Sequence, residues 1–494
     1  MAASGRSSDT ARAWAPPEGW EVVIGCEVHS QLLTKAKLFS SAPNSFGAAP
    51  NTQTTEVDLG LPGVLPVANR HAVELAVRAG VALGCEIQLF SLFARKHYFY
   101  PDLPKGYQIS QYEQPFSSGG SVPIRLGDTE REIPLTRIHM EEDAGKLVHD
   151  DALTRGASHV DLNRAGVPLI EIVSEPAISS PAEAAAYLRS LRAALRYLGV
   201  SECDMEKGNF RCDANVSVRP VGASELGTRV ELKNINSFRF VERAIEGEVE
   251  RQVELIEDGG EVVQETRHWD EHTGTTKPGR LKEDEDDYRY FPDPDLVPLR
   301  IEADWVEEIR RNLPELPHAR QLRFERELGL SSPDAGQICE DRELADFFER
   351  SAELHGNAKK VANWTIRSLL PALGELGKPL SELALSPEHF SELIGLVDAG
   401  KVTAANAREV FGELAESGRA PAELLREKGL EAVSDEGELE GIAREVLDAS
   451  PENVEQYRAG EAKVLNFFIG QIMKRTRGKA NPAAVRAVLE RLLA

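Results

Sequence analysis

The chain has 494 residues, with 57 Lys+Arg against 81 Asp+Glu and a formal net charge of -24 at pH 7. That length exceeds what one hydrophobic core usually supports, so about two to four domains are expected, and the acidic balance excludes a protein that coats nucleic acid without specificity, leaving any RNA contact to a local basic patch. Its five cysteines form no C-x-x-C pair, which excludes a zinc knuckle or disulfide framework and fits a reduced, cytoplasmic protein, and no apolar run approaches the ~18 residues of a membrane span.

In chain order, the Ser/Arg/Ala-rich stretch from Met1 to Pro17 reads as a disordered leader, with an organelle transit peptide as the alternative. From residue 18 to residue 299 short alternating segments punctuated by Gly, Pro and Asn, with two helices among them, give an α+β texture. In the first segment, Glu21 to Gln31, alternation puts Val22, Ile24, Cys26 and Val28 on one strand face and Glu27, His29 and Gln31 on the other. A carboxylate and an imidazole two residues apart can converge on one cation, or can form a solvated polar face. The aromatic- and Pro-rich segments Arg95 to Lys105 and Asp286 to Asp295 read as stiff loops that either wall a site or glue domains together. Between strand-like segments, Ser117 to Ser121 reads as a turn rather than an amidase loop.

His139 to Lys146 sets three consecutive acids beside a histidine, which folds inward only if a cation or basic partner neutralises it and is otherwise an exposed acidic loop. Glu171 sits among Leu169, Ile170, Ile172 and Val173, as a ligand or a paired core charge would. Ser180, Pro181 and Glu183 are an N-terminal helix signature ahead of Leu188, Leu191, Leu195 and Leu198, ended by Gly199. In Asn209 to Arg219 the polar face carries Arg211, Asp213 and Asn215, and in the next run Arg229, Glu231 and Lys233 share one face. Cations and carboxylates interleaved across adjacent strands suit a polyphosphate with its Mg2+, or a salt-bridge ladder. A second helix follows Ser237 and ends at Gly259-Gly260.

Beyond Leu299 helical periodicity takes over, giving a helical domain over 300–385 and, after Lys378-Pro379 and Ser386-Pro387, a helical tail over 386–494. In that tail Lys474, Arg475, Arg477 and Lys479 follow the apolar run Val464 to Ile469, either as phosphate contacts or as a helix C-terminal cap. No Walker-type loop, kinase signature or G-x-S-x-G elbow is present, so a nucleotide would have to lie on a sheet.

Taken together, Ile24-Gly-Cys-Glu-Val-His29, Arg137 to Lys146, Asp161 to Glu175, Arg211 to Ser217, Glu231 to Ser237, Asp287-Tyr-Arg-Tyr-Phe-Pro292, Gly470 to Lys474 and Gly478 to Pro482 closely resemble the B subunits of tRNA-dependent amidotransferases, the GatB/GatE family. The resemblance runs from about Glu21 to the C-terminus, with Cys26 standing where the family commonly has an aliphatic residue. It implies a glutamine synthetase-like cradle with a mainly antiparallel sheet, then a helical domain and a YqeY-like tail that binds tRNA. It implies ATP and Mg2+ as cofactors, used to phosphorylate the side-chain carboxylate of Glu on tRNA(Gln) or Asp on tRNA(Asn). The partners implied, in a heterotrimer, are the glutaminase of the complex, its A subunit, which supplies ammonia, together with the small C subunit. By motif position the resemblance assigns Glu27, His29, Glu142 and Glu171 to the metal, and Lys96, Lys105, Arg211, Asp213, Asn215 and Lys233 to nucleotide, acyl-phosphate or channel contacts. Asn234 and Arg289 join Arg211 and Lys233 as nucleotide contacts, and the four tail cations as tRNA contacts. A non-catalytic tRNA-binding scaffold and a free-standing glutamine synthetase-like ligase are the alternative functions. The convergent acids speak against the first and the basic tail against the second.

Overall fold

The structure, a computed structural model, describes residues 14–127, 129–148, 157–281, 288–432, 436–476 and 480–493. Two compact units divide after Leu316.

The first unit is organised by one long strand, β1 (Trp20–Gln31), whose alternation buries Val22, Ile24, Cys26 and Val28 and leaves Glu27, His29 and Gln31 half-buried on the other face. Around it lie β2 (Glu86–Ile87), β3 (Phe90–Ser91), β4 (Ala94–His97), β5 (Tyr107–Ser110), β6 (Ser117–Ser118), β7 (Ser121–Leu126), β8 (Thr129–Glu142), β9 (Lys146–Val148), β10 (His159–Asp161) and β11 (Pro168–Ser174). The remaining strands are β12 (Phe210–Pro220), β13 (Val230–Lys233), β14 (Glu265–Asp270), β15 (Thr275–Leu281), β16 (Phe291–Pro292) and β17 (Leu299–Arg300). The main sheet runs β15-β14-β13-β12-β1-β11-β8-β6-β2, with β7 also on β8. Its pairings are antiparallel except β13 with β14, which agrees with the expected α+β class and mainly antiparallel sheet. A separate three-stranded sheet, β16-β4-β5, adjoins it.

The apolar face of the main sheet is covered by helices Arg70–Ala82, Pro181–Tyr197 and Phe238–Glu257, which share its core. Ser180 Oγ accepts from Glu183 N at 3.1 Å, as the signature requires. Glu183 reaches one residue further back than a capping box does, accepting from Ser179 N and Oγ at 2.8 Å each. Ser237 caps the second helix through Phe240 N, and Gly259 leaves it at φ +83°, a backbone angle that favours glycine.

The boundary expected after residue 299 falls later because Ile301, Val306 and Ile309, the last two on helix Ala303–Arg311, bury into the core of the first unit. At the other end residues 1–13 of the expected leader lie outside the described residues, while Trp14 packs against that core. The second unit is helical throughout its described residues. The domain change expected between residues 385 and 386 is bridged by aromatic packing. Phe347 meets Phe390 with ring centroids 5.3 Å apart, and Phe390 meets Phe411 at 5.9 Å. The tail forms its own cluster around Leu439, Phe468, Ile472 and Leu489. Among the described residues no helix is long and apolar enough to cross a membrane.

Candidate functional site

Three adjacent strands bring the acids and imidazoles together. The antiparallel register sets His29 of β1 opposite Glu171 of β11, and Glu171 opposite His139 of β8, so the three side chains form a row across the sheet. Cross-strand partners on one face stand close enough to interact directly. Glu141 follows His139 by two residues and therefore returns to the same face. His29 Nε2 lies 3.3 Å from Glu171 Oε2 and 3.5 Å from Glu141 Oε1, and His139 Nε2 lies 3.3 Å from Glu171 Oε2. One donor atom from each of His29, Glu141 and Glu171 falls within 4.8 Å of the other two. Burial by itself would lower the His29 pKa, but Glu171 and Glu141 outweigh it and raise it to about 9. Burial pushes Glu171 up, yet His139 and His29 hold it well below the usual carboxylate range. The cluster therefore gathers two carboxylates and two imidazoles, and among the described residues Glu141 Oε2 and His139 Nδ1 are buried without a hydrogen-bond partner.

A cleft of about 750 Å3 opens over this row, lined also by Glu27, Lys96, Arg137, Asp213, Arg229, Glu231, Lys233, Thr266, His268, Tyr288 and Tyr290. Glu27 accepts from Asn215 Nδ2 at 2.9 Å. Lys233 Nζ stands 2.6 Å from Asp213 and 3.4 Å from Glu231. Burial disfavours the ammonium of Lys233, but Asp213 and Glu231 raise its pKa. The same contest at Lys96 is decided by Glu141, Tyr290 and Glu171, which keep it cationic. The cavity thus pairs a carboxylate-imidazole wall with fixed cations, an arrangement that can neutralise transferred phosphoryl charge and hold a divalent ion.

Of the first-unit residues expected from sequence, Glu27, His29, Lys96, Glu171, Asp213 and Lys233 line this cleft, and Lys105, Glu142, Arg211, Asn215, Asn234 and Arg289 do not. Glu142 is the main correction. It follows Glu141 by one residue, so it leaves β8 on the opposite face, where it accepts from Ile109 N at 2.9 Å and pairs with Lys105. Lys105 is thereby drawn away from the cleft. Arg211 forms an ion pair with Asp143 at 3.0 Å, and Gln31 donates to the same carboxylate at 2.8 Å. Asn215 supports Glu27 from beneath, and Asn234, at φ +65°, donates to Trp269 O at 3.1 Å. Arg289 is exposed, and its carbonyl faces His97 Nδ1 at 3.2 Å. Among the cleft residues that the motif reading did not assign are His139, Glu141, Tyr288 and Tyr290. Period-two alternation in Arg137-Ile-His-Met-Glu, applied as in β1, selects His139 and Glu141.

In the tail, Lys474 and Arg475 end the helix Val464–Arg475, where cations suit the helix dipole, and Arg475 pairs with Glu445 at 2.6 Å. Arg477 and Lys479 lie outside the described residues.

A family model described as the GatB/GatE catalytic domain matches residues 22–307, and one described as the GatB domain matches residues 346–493. The chain is 52% identical over 474 residues to the aspartyl/glutamyl-tRNA(Asn/Gln) amidotransferase B subunit of Thermodesulfovibrio yellowstonii, covering 96% of this chain and 99% of that protein. It is 54% identical to the protein of the same name from Geotalea daltonii over 471 residues, covering 95% and 98% of the two chains. For that from Anaeromyxobacter sp. the identity is 54% over 482 residues, covering 97% and 99%.

Proposed function

This chain belongs to the GatB/GatE family, and from that premise we propose that it works as the B subunit of an aspartyl/glutamyl-tRNA(Asn/Gln) amidotransferase, activating the side-chain carboxylate of Glu-tRNA(Gln) or Asp-tRNA(Asn) with ATP for amidation. The observation that carries the reading is the row His29, Glu171 and His139 with Glu141 beside it, lining one cleft together with Lys96 and Lys233. A carboxylate at neutral pH is an anion that resists attack by ammonia until one of its oxygens becomes part of a leaving group, and phosphorylation supplies that. Phosphoryl transfer depends on positioning and charge neutralisation rather than on a protein nucleophile, which accords with a cleft of acids, imidazoles and lysines.

The donor set fits Mg2+. His29, Glu141 and Glu171 offer converging ligand atoms, His29 by exchanging for the cation the proton that Glu171 and Glu141 otherwise favour, Glu141 Oε2 has no hydrogen-bond partner among the described residues, and Mg2+ retains several waters and so needs few protein ligands. When bound, the ion would neutralise phosphate charge and polarise the transferred group. His139 would orient Glu171 from behind, Lys233 and Arg229 would meet phosphate oxygens, and Asp213 and Glu231 would keep Lys233 aimed. A glutamine synthetase-like cradle, ammonia from a glutaminase partner, assembly into a heterotrimer with the small third protein of such complexes, a cytoplasmic location and tRNA contacts by the tail belong to the same reading. The test is amidation of Glu-tRNA(Gln) and Asp-tRNA(Asn), side by side, by this chain co-expressed with candidate A and C subunits. ATP hydrolysis dependent on misacylated tRNA, with product formed from glutamine or high ammonium, is the expected result. No ATP-dependent product from either tRNA would refute the reading.

A further inference from the structure

The cleft lysines are held in two different ways. Lys233 pairs directly with Asp213 and Glu231. Lys96 makes no ion pair among the described residues; its ammonium lies over the Tyr288 ring, 4.8 Å from the centroid. The difference matters chemically. An ammonium in direct contact with carboxylates shares its donors and part of its field with them, whereas one resting on a ring face keeps its N–H donors open to an incoming anion. A lysine has a long flexible stem, so in a cleft containing Glu141, Glu171 and Asp213 an unrestrained Lys96 would fold onto one of them.

What keeps it off is the segment from Tyr288 to Asp295. β16 within this segment pairs with β4, the strand that carries Lys96, setting Phe291 opposite Arg95. Arg95 then clamps the segment, with Nε 2.8 Å from Asp293 Oδ2 and Nη2 2.8 Å from Asp295 Oδ2, while Asp293 N donates to Phe93 O at 2.9 Å. His97 stacks on Phe291 at 5.0 Å. Upstream of the clamp, Tyr290 stacks on Tyr112 at 4.2 Å and meets Tyr288 edge-on at 6.0 Å. Both rings line the cleft.

We propose that Tyr288–Asp295 is a positioning strap: Tyr288 and Tyr290 hold the Lys96 ammonium free of the neighbouring carboxylates so that it can meet an anionic oxygen of the substrate, and Arg95 locks the strap through Asp293 and Asp295. The consequence for catalysis rests on the proposed function, while the strap itself is a statement about Lys96. Two measurements separate them. The first is acylation of Lys96 by acetic anhydride, followed by mass spectrometry and scaled to the exposed Lys35, on the purified chain. Tyr288→Leu and Asp293→Asn are expected to change the Lys96 rate severalfold, with Tyr288→Phe close to wild type. Equal rates in all four proteins would overturn the strap whatever the amidation assay shows. The second is ammonium-driven amidation by the assembled complex. Tyr288→Leu is expected to lower kcat by about tenfold with the KM for misacylated tRNA nearly unchanged, and Tyr288→Phe to retain activity, because the ring face carries the interaction. In a Lys96→Met background Tyr288→Leu should add little, since the two residues act as one unit. A full additional loss there, or a Phe variant as damaged as Leu, would overturn the positioning role. A wild-type complex that fails to amidate with ATP would count against the proposed function, leaving the labelling result to decide the strap.

Discussion

Glu141 and Glu142 are chemically identical neighbours, and the strand they share separates their roles. Glu141 points toward His29 and Glu171, while Glu142 accepts from Ile109 N and binds Lys105 on the far side. Glu141→Gln is expected to lower the ATP-dependent rate by about 100-fold, roughly 2.7 kcal/mol, and to raise the Mg2+ concentration needed for half-maximal rate. Glu142→Gln should leave that Mg2+ requirement in place and act instead through lost stability, since it removes the charge that balances Lys105. Titrating Mg2+ in the amidation assay for both variants decides the matter, and a Mg2+ shift confined to Glu142→Gln would reverse the assignment. The motif His-Met-Glu-Glu-Asp names both acids, and only the facing of β8 chooses between them.

At the scale of elements, side-chain alternation explains how the working face was legible. β1 and β12 bury every second residue, so Glu27, His29 and Asp213 emerge on one surface without further information. Register is a different matter, because which residue of β11 stands opposite His29 depends on how loops of unequal length close. In the second unit, helices Pro317–Leu328 and Arg342–His355 are joined by charge. Arg320, almost fully buried, reaches Asp346 at 2.5 Å and Glu349 at 2.7 Å, and Arg323 reaches Glu349 at 2.6 Å. Burial pushes Glu349 up, but Arg323 and Arg320 outweigh it and hold its pKa below the usual value. A carboxylate depressed in the folded state stabilises above its unfolded pKa, about 4.3, and that contribution is lost as pH falls through the lower folded value. Glu349→Gln should therefore cost about 1–2 kcal/mol at neutral pH, and the gap from wild type should close in strongly acidic solution. Urea denaturation at pH 7 and at pH 3 measures this; a gap independent of pH would mean that packing, not charge, is what the variant loses.

For the whole molecule, the division after Leu316 predicts that residues 317–494 fold without the first unit, because their aromatic chain and tail cluster are internal. Circular dichroism of that fragment should give a helical spectrum and a cooperative thermal transition; a featureless melt would show that the unit needs its neighbour. The tail also carries the proposed tRNA contacts. Since Arg475 is already paired with Glu445, the informative variant is Lys474→Ala/Arg477→Ala/Lys479→Ala. It should weaken tRNA binding and flatten its salt dependence by roughly one unit of slope per lost phosphate contact, read from the KM for misacylated tRNA at several salt concentrations. Unchanged affinity and slope in a folded variant would leave these cations as a helix cap.

The sequence by itself determined the family, the α+β-then-helical order, the two helices capped by Ser180 and Ser237 and the polar faces of β1 and β12, because each follows from residues adjacent in the chain or from motifs read whole. Tertiary structure alone decided that Glu141 rather than Glu142 joins the cluster, that Lys105 and Arg211 turn to Glu142 and Asp143, that the first unit extends to Leu316, and that the Tyr288 ring comes to rest under the Lys96 ammonium with Tyr290 beside it in the cleft wall. Those outcomes depend on which strands become neighbours and in what register. Contacts between residues far apart in the chain are fixed by three-dimensional closure and leave no local periodicity to read.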